Sequence, residues 1–269
     1  MLAESSYRFS VATYNLLASA YINRSWYPRT PAMVLNPAWR IPALAQYVSA
    51  LKADLHCLQE VEPDVLATLR TSLGSRYDVH YAQKSARRPE GVAIFYRRDK
   101  FEPLRVTRLD YADGEAGGRD SGYIALFALF RAADRVIGVI NTHLLWDRPG
   151  SALELQSGYR QARQLLMAYE KTASSADGWI LAGDLNVTPD SALIAMIRQA
   201  GFEDSHYGLS GTASCNVNGE ARVIDYIFYS AALHAEPAAV AAVDNRTILP
   251  SAEQPSDHVA IAARIGWRH

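Results

Sequence analysis

Short apolar runs recur along the chain, and most of them stop at a polar side chain. Residues 7–15 alternate between apolar and polar positions and end at Asn15, the pattern of a half-buried strand. Residues 54–58 read as a buried strand that terminates in Gln59 and Glu60. Strand patterns follow over 77–82, 92–97, 101–109, 123–130 and 135–143, and over 223–229, 238–243 and 259–265. The run from Trp179 to Ala182 has no polar face, which predicts a strand buried on both sides, and it breaks at Asp184 and Asn186. Helical spacing occurs over 42–52, where Leu44, Ala45, Val48 and Leu51 share a face, and over 63–73, opened by Pro63 and closed by Gly74. It returns over 152–171 and 192–199. Turn pairs Arg98-Asp99 and Ala133-Asp134 separate closely spaced strands and predict antiparallel hairpins. Strands of mixed direction with few helices predict an α/β fold with two sheets face to face and helices outside, a four-layer sandwich.

Two segments interrupt this pattern. Residues 16–40 are irregular and aromatic, with Tyr21, Trp26, Tyr27 and Trp39 among prolines 28, 31 and 37, and a connection of that length in a compact domain is usually functional. Trp26 has two readings there, packing over the sheet or stacking on a nucleobase. Residues 110–122 read as a surface loop between strands. No Pro/Gly/Ser-rich linker divides the 269 residues, so residues 1–269 are expected to form one domain, most simply a monomer. A net charge of −1 argues against a protein that coats nucleic acid, while leaving room for a local phosphate site. Arg far outnumbers Lys, which composition bias explains better than phosphate recognition does. The N-terminus shows no basic region followed by an apolar one, no apolar run is long enough to cross a bilayer, and Cys57 and Cys215 lie far apart. These features predict a cytoplasmic protein with reduced thiols and no membrane contact.

The polar residues at the strand ends form one inventory: Asn15, Glu60, Asn141 with His143, Asp184 with Asn186, Asp225, and Asp257 with His258. Each follows or lies within an apolar strand, so each is costly to bury without a partner. Taken singly, each has a bland reading: Asp184 and Asn186 as an Asx turn before a helix, Asn15 as a cap, His143 as a satisfied core histidine, Asp257-His258 as a turn. Taken together at one edge of a sandwich, they make a cleft rich in oxygen ligands and poor in soft ones. That set favours Mg²⁺, or Mn²⁺, over zinc. With no activated thiol or hydroxyl among them, the chemistry it serves is attack of a metal-assisted water on a phosphoester.

Asn15, Gln59-Glu60, NTH at 141–143, GDLN at 183–186, DYIF at 225–228 and SDH at 256–258, in that order, resemble the endonuclease/exonuclease/phosphatase superfamily. TYNLLAS from 13, LQEVE from 58, EGVAIFYRRDKF from 90 and NTHLLWD from 141 are most similar to the subgroup of poly(A) deadenylases, nocturnin, the Angel proteins and the 2′-5′ phosphodiesterase. The resemblance implies the DNase I-like αββα sandwich. It implies Glu60 as the principal Mg²⁺ ligand with Asn15 beside it, and Asp257 as a second ligand or an orienting group. Asp184 would orient or deprotonate the attacking water, and Asn186 would hold that water or a phosphate oxygen. His258, paired with Asp225, and His143 would donate to the phosphoryl oxygens. Asn141, Trp26, Trp146 and Pro149 are expected to contact substrate. Residues 215–222 carry no aromatic where the deadenylase-like members have one against adenine, a departure in base recognition. The implied activity is a Mg²⁺-dependent phosphodiesterase, foremost a 3′-5′ exoribonuclease on RNA or short oligonucleotides. A phosphatase on 2′,3′-cyclic-phosphate RNA ends or small nucleotides is the enzymatic alternative, and a catalytically inactive binding module is the non-enzymatic one.

Overall fold

A computed structural model of the protein describes residues 7–85, 87–114, 119–148, 150–206 and 213–268. In chain order the elements are β1 (Arg8–Asn15), α1 (Pro37–Leu51), β2 (Leu55–Val61), α2 (Pro63–Leu73), β3 (Tyr77–Gln83), β4 (Gly91–Arg97), β5 (Glu102–Asp110), β6 (Ile124–Ala132) and β7 (Arg135–His143). There follow α3 (Ser157–Thr172), β8 (Gly178–Asp184), α4 (Ala192–Gln199), β9 (Phe202–Asp204), β10 (Cys215–Val217), β11 (Glu220–Arg222), β12 (Asp225–Ser230), β13 (Leu233–Pro237) and β14 (Ile261–Trp267). Two six-stranded sheets result, ordered β13-β14-β1-β2-β4-β3 and β5-β6-β7-β8-β12-β9, with β10-β11 as a separate hairpin.

The inner faces of the two sheets meet in one apolar cluster, with Phe9, Val11, Ile94, Phe130, Val139, Ile180 and Ile227 nearly inaccessible. Outside the first sheet, α1 and α2 close a second cluster around Tyr14, Leu44, Leu58 and Leu69. Outside the second, α3 and α4 cover Leu165, Ile194, Leu181 and Phe228. That is the four-layer αββα sandwich expected from the strand pattern. Because side chains alternate along a strand, the residues that extend the inner apolar rows to their ends also point between the sheets. Phe9 and Val11 lead to Asn15, Val139 to Asn141 and His143, Ile180 and Ala182 to Asp184, and Ile227 back to Asp225.

Two strand expectations change. The 238–243 strand is absent; β13 ends at Pro237, and Ala238 gives one last backbone bond to Ala262 before the chain leaves the sheet. An alanine-rich run mimics a buried strand by hydropathy, but it offers little area for a sheet face to bury. The Arg98-Asp99 turn does not close a hairpin: β4 pairs with β2 and β3, whereas β5 pairs with β6 in the other sheet. Ala133, in the left-handed region at φ 57°, does close the β6–β7 hairpin. Short β9, β10 and β11 were not legible as apolar runs. Helix α1 begins at Pro37 rather than Pro42, because Asn36 accepts the Ala38 N–H at 3.0 Å and caps an earlier turn.

Candidate active site

At one end of the sandwich the inner strand ends converge on a cleft of about 640 Å³. Asn15, Glu60, His143, Asp184, Asn186, Asp257 and His258 all line it, together with Tyr21, Trp26, Tyr27, Arg88, Tyr123 and Trp146. Register explains the convergence. β7 and β8 run parallel with His143 opposite Asp184, and β12 returns antiparallel with Asp225 opposite Asp184. Two carboxylates are thereby fixed side by side in the core.

Glu60 reaches the cleft through a bulge. The β2–β4 register slips between Leu58 and Val61, and Glu60 takes the left-handed region at φ 55°. Glu60 Oε2 accepts the Ala18 N–H at 2.7 Å and Oε1 accepts the Asn15 amide at 3.2 Å. Burial raises the Glu60 pKa, Glu90 raises it further, and Lys84 offsets part of the shift. Two residues on, just past β2, Glu62 accepts the Ser19 and Ala20 N–H groups at 2.6 and 3.1 Å and so holds the start of the long aromatic loop. Buried Arg40 fixes the same loop from α1, donating to the Leu16 carbonyl at 2.8 Å and to Ser19 Oγ at 2.7 Å.

Asp184 Oδ2 accepts the other Asn15 N–H at 2.9 Å, and Oδ1 accepts the Asn186 backbone N–H at 2.9 Å. Asn186 therefore lies past the strand end, turned into the left-handed region at φ 56°. Burial and the facing Asp225 raise the Asp184 pKa to about 7, with His258 pulling the other way. Asp225 Oδ2 accepts from His258 Nδ1 at 2.8 Å. Burial opposes charge on His258, but the Asp225 carboxylate outweighs it and holds the His258 pKa well above the ordinary value. Asp184 Oδ2 is 3.7 Å from His258 Nε2 and 3.6 Å from His143 Nε2, at the centre of the group.

His143 is the opposite case. Burial, then Lys84 and His258, press its pKa well below the ordinary value, so the ring is neutral. Lys84 Nζ sits 3.3 Å from its Nδ1 and Asn186 Nδ2 3.0 Å from its Nε2. A neutral imidazole accepts at only one nitrogen, so the other keeps its N–H. Ser256 Oγ donates to the Asn15 carbonyl at 2.7 Å, tying the Ser256–His258 turn to the end of β1. Tyr27, buried, donates to Asp257 Oδ2 at 2.7 Å. Asn216 N donates to the Asp257 carbonyl at 2.9 Å, so β10 pins the same turn from its other side.

Of the other expected contacts, Trp26 and Trp146 stand 49% exposed on the rim. Asn141 is placed elsewhere: fully buried, it donates to the Leu58 and Ala93 carbonyls at 3.0 and 2.8 Å and accepts from Gln59 at 2.8 Å, stapling the two sheets together. Pro149 lies outside the described residues. Sequence reasoning missed Lys84 and Glu90, a fully buried ion pair at 2.8 Å. It also missed Tyr123, which packs edge-on to His143 at 5.3 Å between centroids and carries the Lys84 ammonium 3.5 Å from its ring centre. Lys84 follows a strand in a polar loop, where nothing in the pattern marks it as buried.

Asp184, Asp225 and His258 present ligand atoms within 4.8 Å of one another. A protonated His258 bonded to Asp225 cannot ligate a cation, so that trio is suited to proton handling. Glu60 fits a metal better: its carboxylate faces the cleft, its raised pKa marks charge that burial leaves undercompensated, and a dication beside it would relieve that penalty. Asn15 spends its amide hydrogens on Glu60 and Asp184 and its oxygen on the Leu17 N–H at 3.0 Å, so it orients both carboxylates.

The sequence pattern of the Endonuclease/Exonuclease/phosphatase family matches residues 12–258, from within β1 to His258. The chain belongs to that family. Among this endonuclease/exonuclease/phosphatase protein's relatives, protein angel homolog 2 of Bos taurus is 30% identical over 210 residues, 73% of this chain and 38% of the relative. The CCR4-Not complex 3′-5′-exoribonuclease subunit Ccr4 of Candida albicans is 24% identical over 325 residues, 97% of this chain and 41% of the relative. The chain thus spans well under half the length of either. The structure of ANGEL2, a 2′,3′-cyclic phosphatase, in complex with adenosine-2′,3′-vanadate aligns with a TM-score of 0.84 at 24% identity, covering 97% of this chain and 96% of that one. That likeness establishes the family fold, in which the strand ends just described form the cleft.

Proposed function

We propose that the protein is a Mg²⁺-dependent phosphodiesterase that acts at the 3′ end of RNA or short oligonucleotides, as a 3′-5′ exonuclease releasing 5′-nucleotides. The observation that carries this reading is the pairing of opposite proton states in one cleft: Asp184 poised near neutrality within 3.7 Å of a charged, Asp225-held His258. A general base works best with a pKa near the operating pH, and a fixed cation beside it suits the charge that develops on a phosphoryl group. Asp184 takes the proton of a water positioned with Asn186, the water oxygen bonds to phosphorus, and the bond to the 3′ oxygen of the preceding nucleotide breaks, that oxygen taking a proton from solvent to become the new 3′-hydroxyl. His258 and the N–H retained by His143 donate to the phosphoryl oxygens. Asn15 aligns Glu60 and Asp184 with each other. Glu60, with Asp257, whose charge bears on it, would hold Mg²⁺ or Mn²⁺, which when bound supplies positive charge to the phosphate. Trp26 and Trp146 offer faces for a terminal base.

A second reading, hydrolysis of a 2′,3′-cyclic phosphate at an RNA 3′ end, is supported by the likeness to ANGEL2 along nearly the whole chain. The same residues would serve it. Both readings assign the chain one catalytic domain. A cytoplasmic location is supported by two buried, unbonded cysteines, Cys57 and Cys215, and no helix among the described residues is long and apolar enough to cross a membrane. The deciding experiment incubates 5′-labelled RNA bearing either a 3′-hydroxyl or a 2′,3′-cyclic phosphate with the protein and Mg²⁺. A ladder shortening from the 3′ end supports the exonuclease, and loss of the terminal phosphate alone supports the second reading. Intact RNA in both lanes would refute both.

A further inference from the structure

Tyr21 and Arg88 line both the cleft and an adjoining second depression of about 640 Å³. Its described lining includes Arg87, Arg88 and Arg119 against a single carboxylate, Asp120, whose Oδ1 is already occupied by the Gly114 N–H at 2.8 Å. In a chain of net charge −1, that is a local excess of positive charge beside the reaction centre. Arg88 is held rigidly at the junction. Its Nε donates to the Ser121 carbonyl at 2.8 Å, its guanidinium lies 4.5 Å from the centre of the Tyr123 ring, and its Nη1 is 3.5 Å from the Tyr21 hydroxyl. A guanidinium fixed along one edge keeps its other N–H groups aimed, which suits an oxyanion with two acceptors.

We propose that this depression binds the phosphate of the nucleotide next to the scissile one, so that the protein grips a single-stranded RNA by at least two consecutive phosphates. The inference rests on the phosphodiesterase reading and extends it from the reacting phosphate to the strand. Trp26 and Trp146 lie on the rim of the main cleft, outside this depression, so the strand's phosphates face the arginines while a terminal base has aromatic surface elsewhere. Affinity then depends on substrate length, with a step between one phosphate and two.

The test is binding of fluorescent RNAs of one to six nucleotides, with Mg²⁺, over a range of salt, to protein carrying Asp184→Asn to block turnover. Arg87→Ala and Arg119→Ala are combined in the comparison, and Arg119→Lys serves as the charge-conserving variant. The expected result is a loss of about tenfold in affinity for the longer RNAs, a salt slope shallower by roughly 0.7 for each phosphate contact removed, and unchanged binding of the mononucleotide. Arg119→Lys should keep most of the slope. Equal affinity and slope at every length, or an equal loss for the mononucleotide and the hexamer, would overturn the proposal. Parallel incubation of the same RNAs with unmutated protein keeps the two ideas apart: a length step without cleavage would leave the arginine site standing and remove the catalytic reading, whereas cleavage without a length step would do the reverse.

Discussion

Asp225→Asn removes a negative charge from beneath His258 and almost no volume. The carboxylate oxygen lies 2.8 Å from His258 Nδ1, and both residues are buried. Burial alone would strip the ring of its proton, and Asp225 reverses that. A hydrogen bond to a charged group contributes about 1.5–3 kcal/mol, and about 1.4 kcal/mol corresponds to a factor of ten. At a fixed pH above neutrality the variant should therefore lose about ten- to hundredfold in kcat. The sign follows from the direction of the shift. Because the folded pKa of His258 is raised, the stabilising pair is fully present below the ordinary histidine value and is lost as pH rises through the raised one. In the variant that loss comes at lower pH, so the alkaline limb of the rate profile moves toward acid and the deficit shrinks as pH falls. The acid limb is assigned to Asp184, whose pKa of about 7 owes part of its rise to Asp225, so in the variant that limb moves toward acid as well. The assay is kcat for a minimal phosphodiester from about pH 6 to 9, with unfolding curves to show that the variant is folded. A rate profile superimposable on that of the unmutated protein, with equal kcat, would refute the assignment of His258 as a charged donor sustained by Asp225.

Three further outcomes follow from the geometry. Trp26→Ala should raise KM for oligonucleotides severalfold and leave a minimal diester unaffected, because the indole stands half-exposed on the rim; equal effects on both substrates would make Trp26 a packing residue. Lys84→Ala leaves Glu90 buried without its partner and should destabilise the fold by about 3–5 kcal/mol in denaturant unfolding, much of it recovered by adding Glu90→Gln; a change under about 1 kcal/mol would mean the pair is solvated. Gly183→Ala should fail to fold, since a Cβ there would lie 1.9 Å from the Thr142 carbonyl at a φ of 148°; a soluble variant with a native unfolding transition would show that β7 and β8 can separate.

The parts of this protein legible in its sequence are those in which hydrophobic period and position agree. The Trp179 run became β8, the 192–199 spacing became α4 between Ser191 and Ala200, and the polar residues ending inner strands became the cleft wall. Strand alternation carries this information, since a residue two past a core position shares its face. Partners across the fold were not legible. The backbone excursion at Glu60 depends on a register slip against β4, which only the paired strand reveals. Asn141 shares a motif with His143 yet faces Leu58 and Ala93 in the opposite sheet, while His143 reaches the cleft one rung later. Nothing in the sequence marks Lys84 and Glu90 as partners, since mutual burial is a property of the pair and leaves no local trace. The Arg98-Asp99 turn carries the signal of a hairpin and instead crosses from one sheet to the other, because turn chemistry fixes a reversal without fixing the pairing.

The central claim is that a cation held at Glu60 is required for phosphodiester hydrolysis in this cleft. The most direct measurement is the rate of RNA hydrolysis as Mg²⁺ is titrated into metal-free protein, unmutated and Glu60→Gln, side by side. The account predicts no turnover under chelation and a saturable rise with Mg²⁺ in the unmutated protein. It predicts a curve displaced by about tenfold or more in Glu60→Gln, since even groups that only orient a metal ligand are worth about 10- to 100-fold in affinity. Hydrolysis that persists under chelation, or a Glu60→Gln curve that overlays the first, would contradict it.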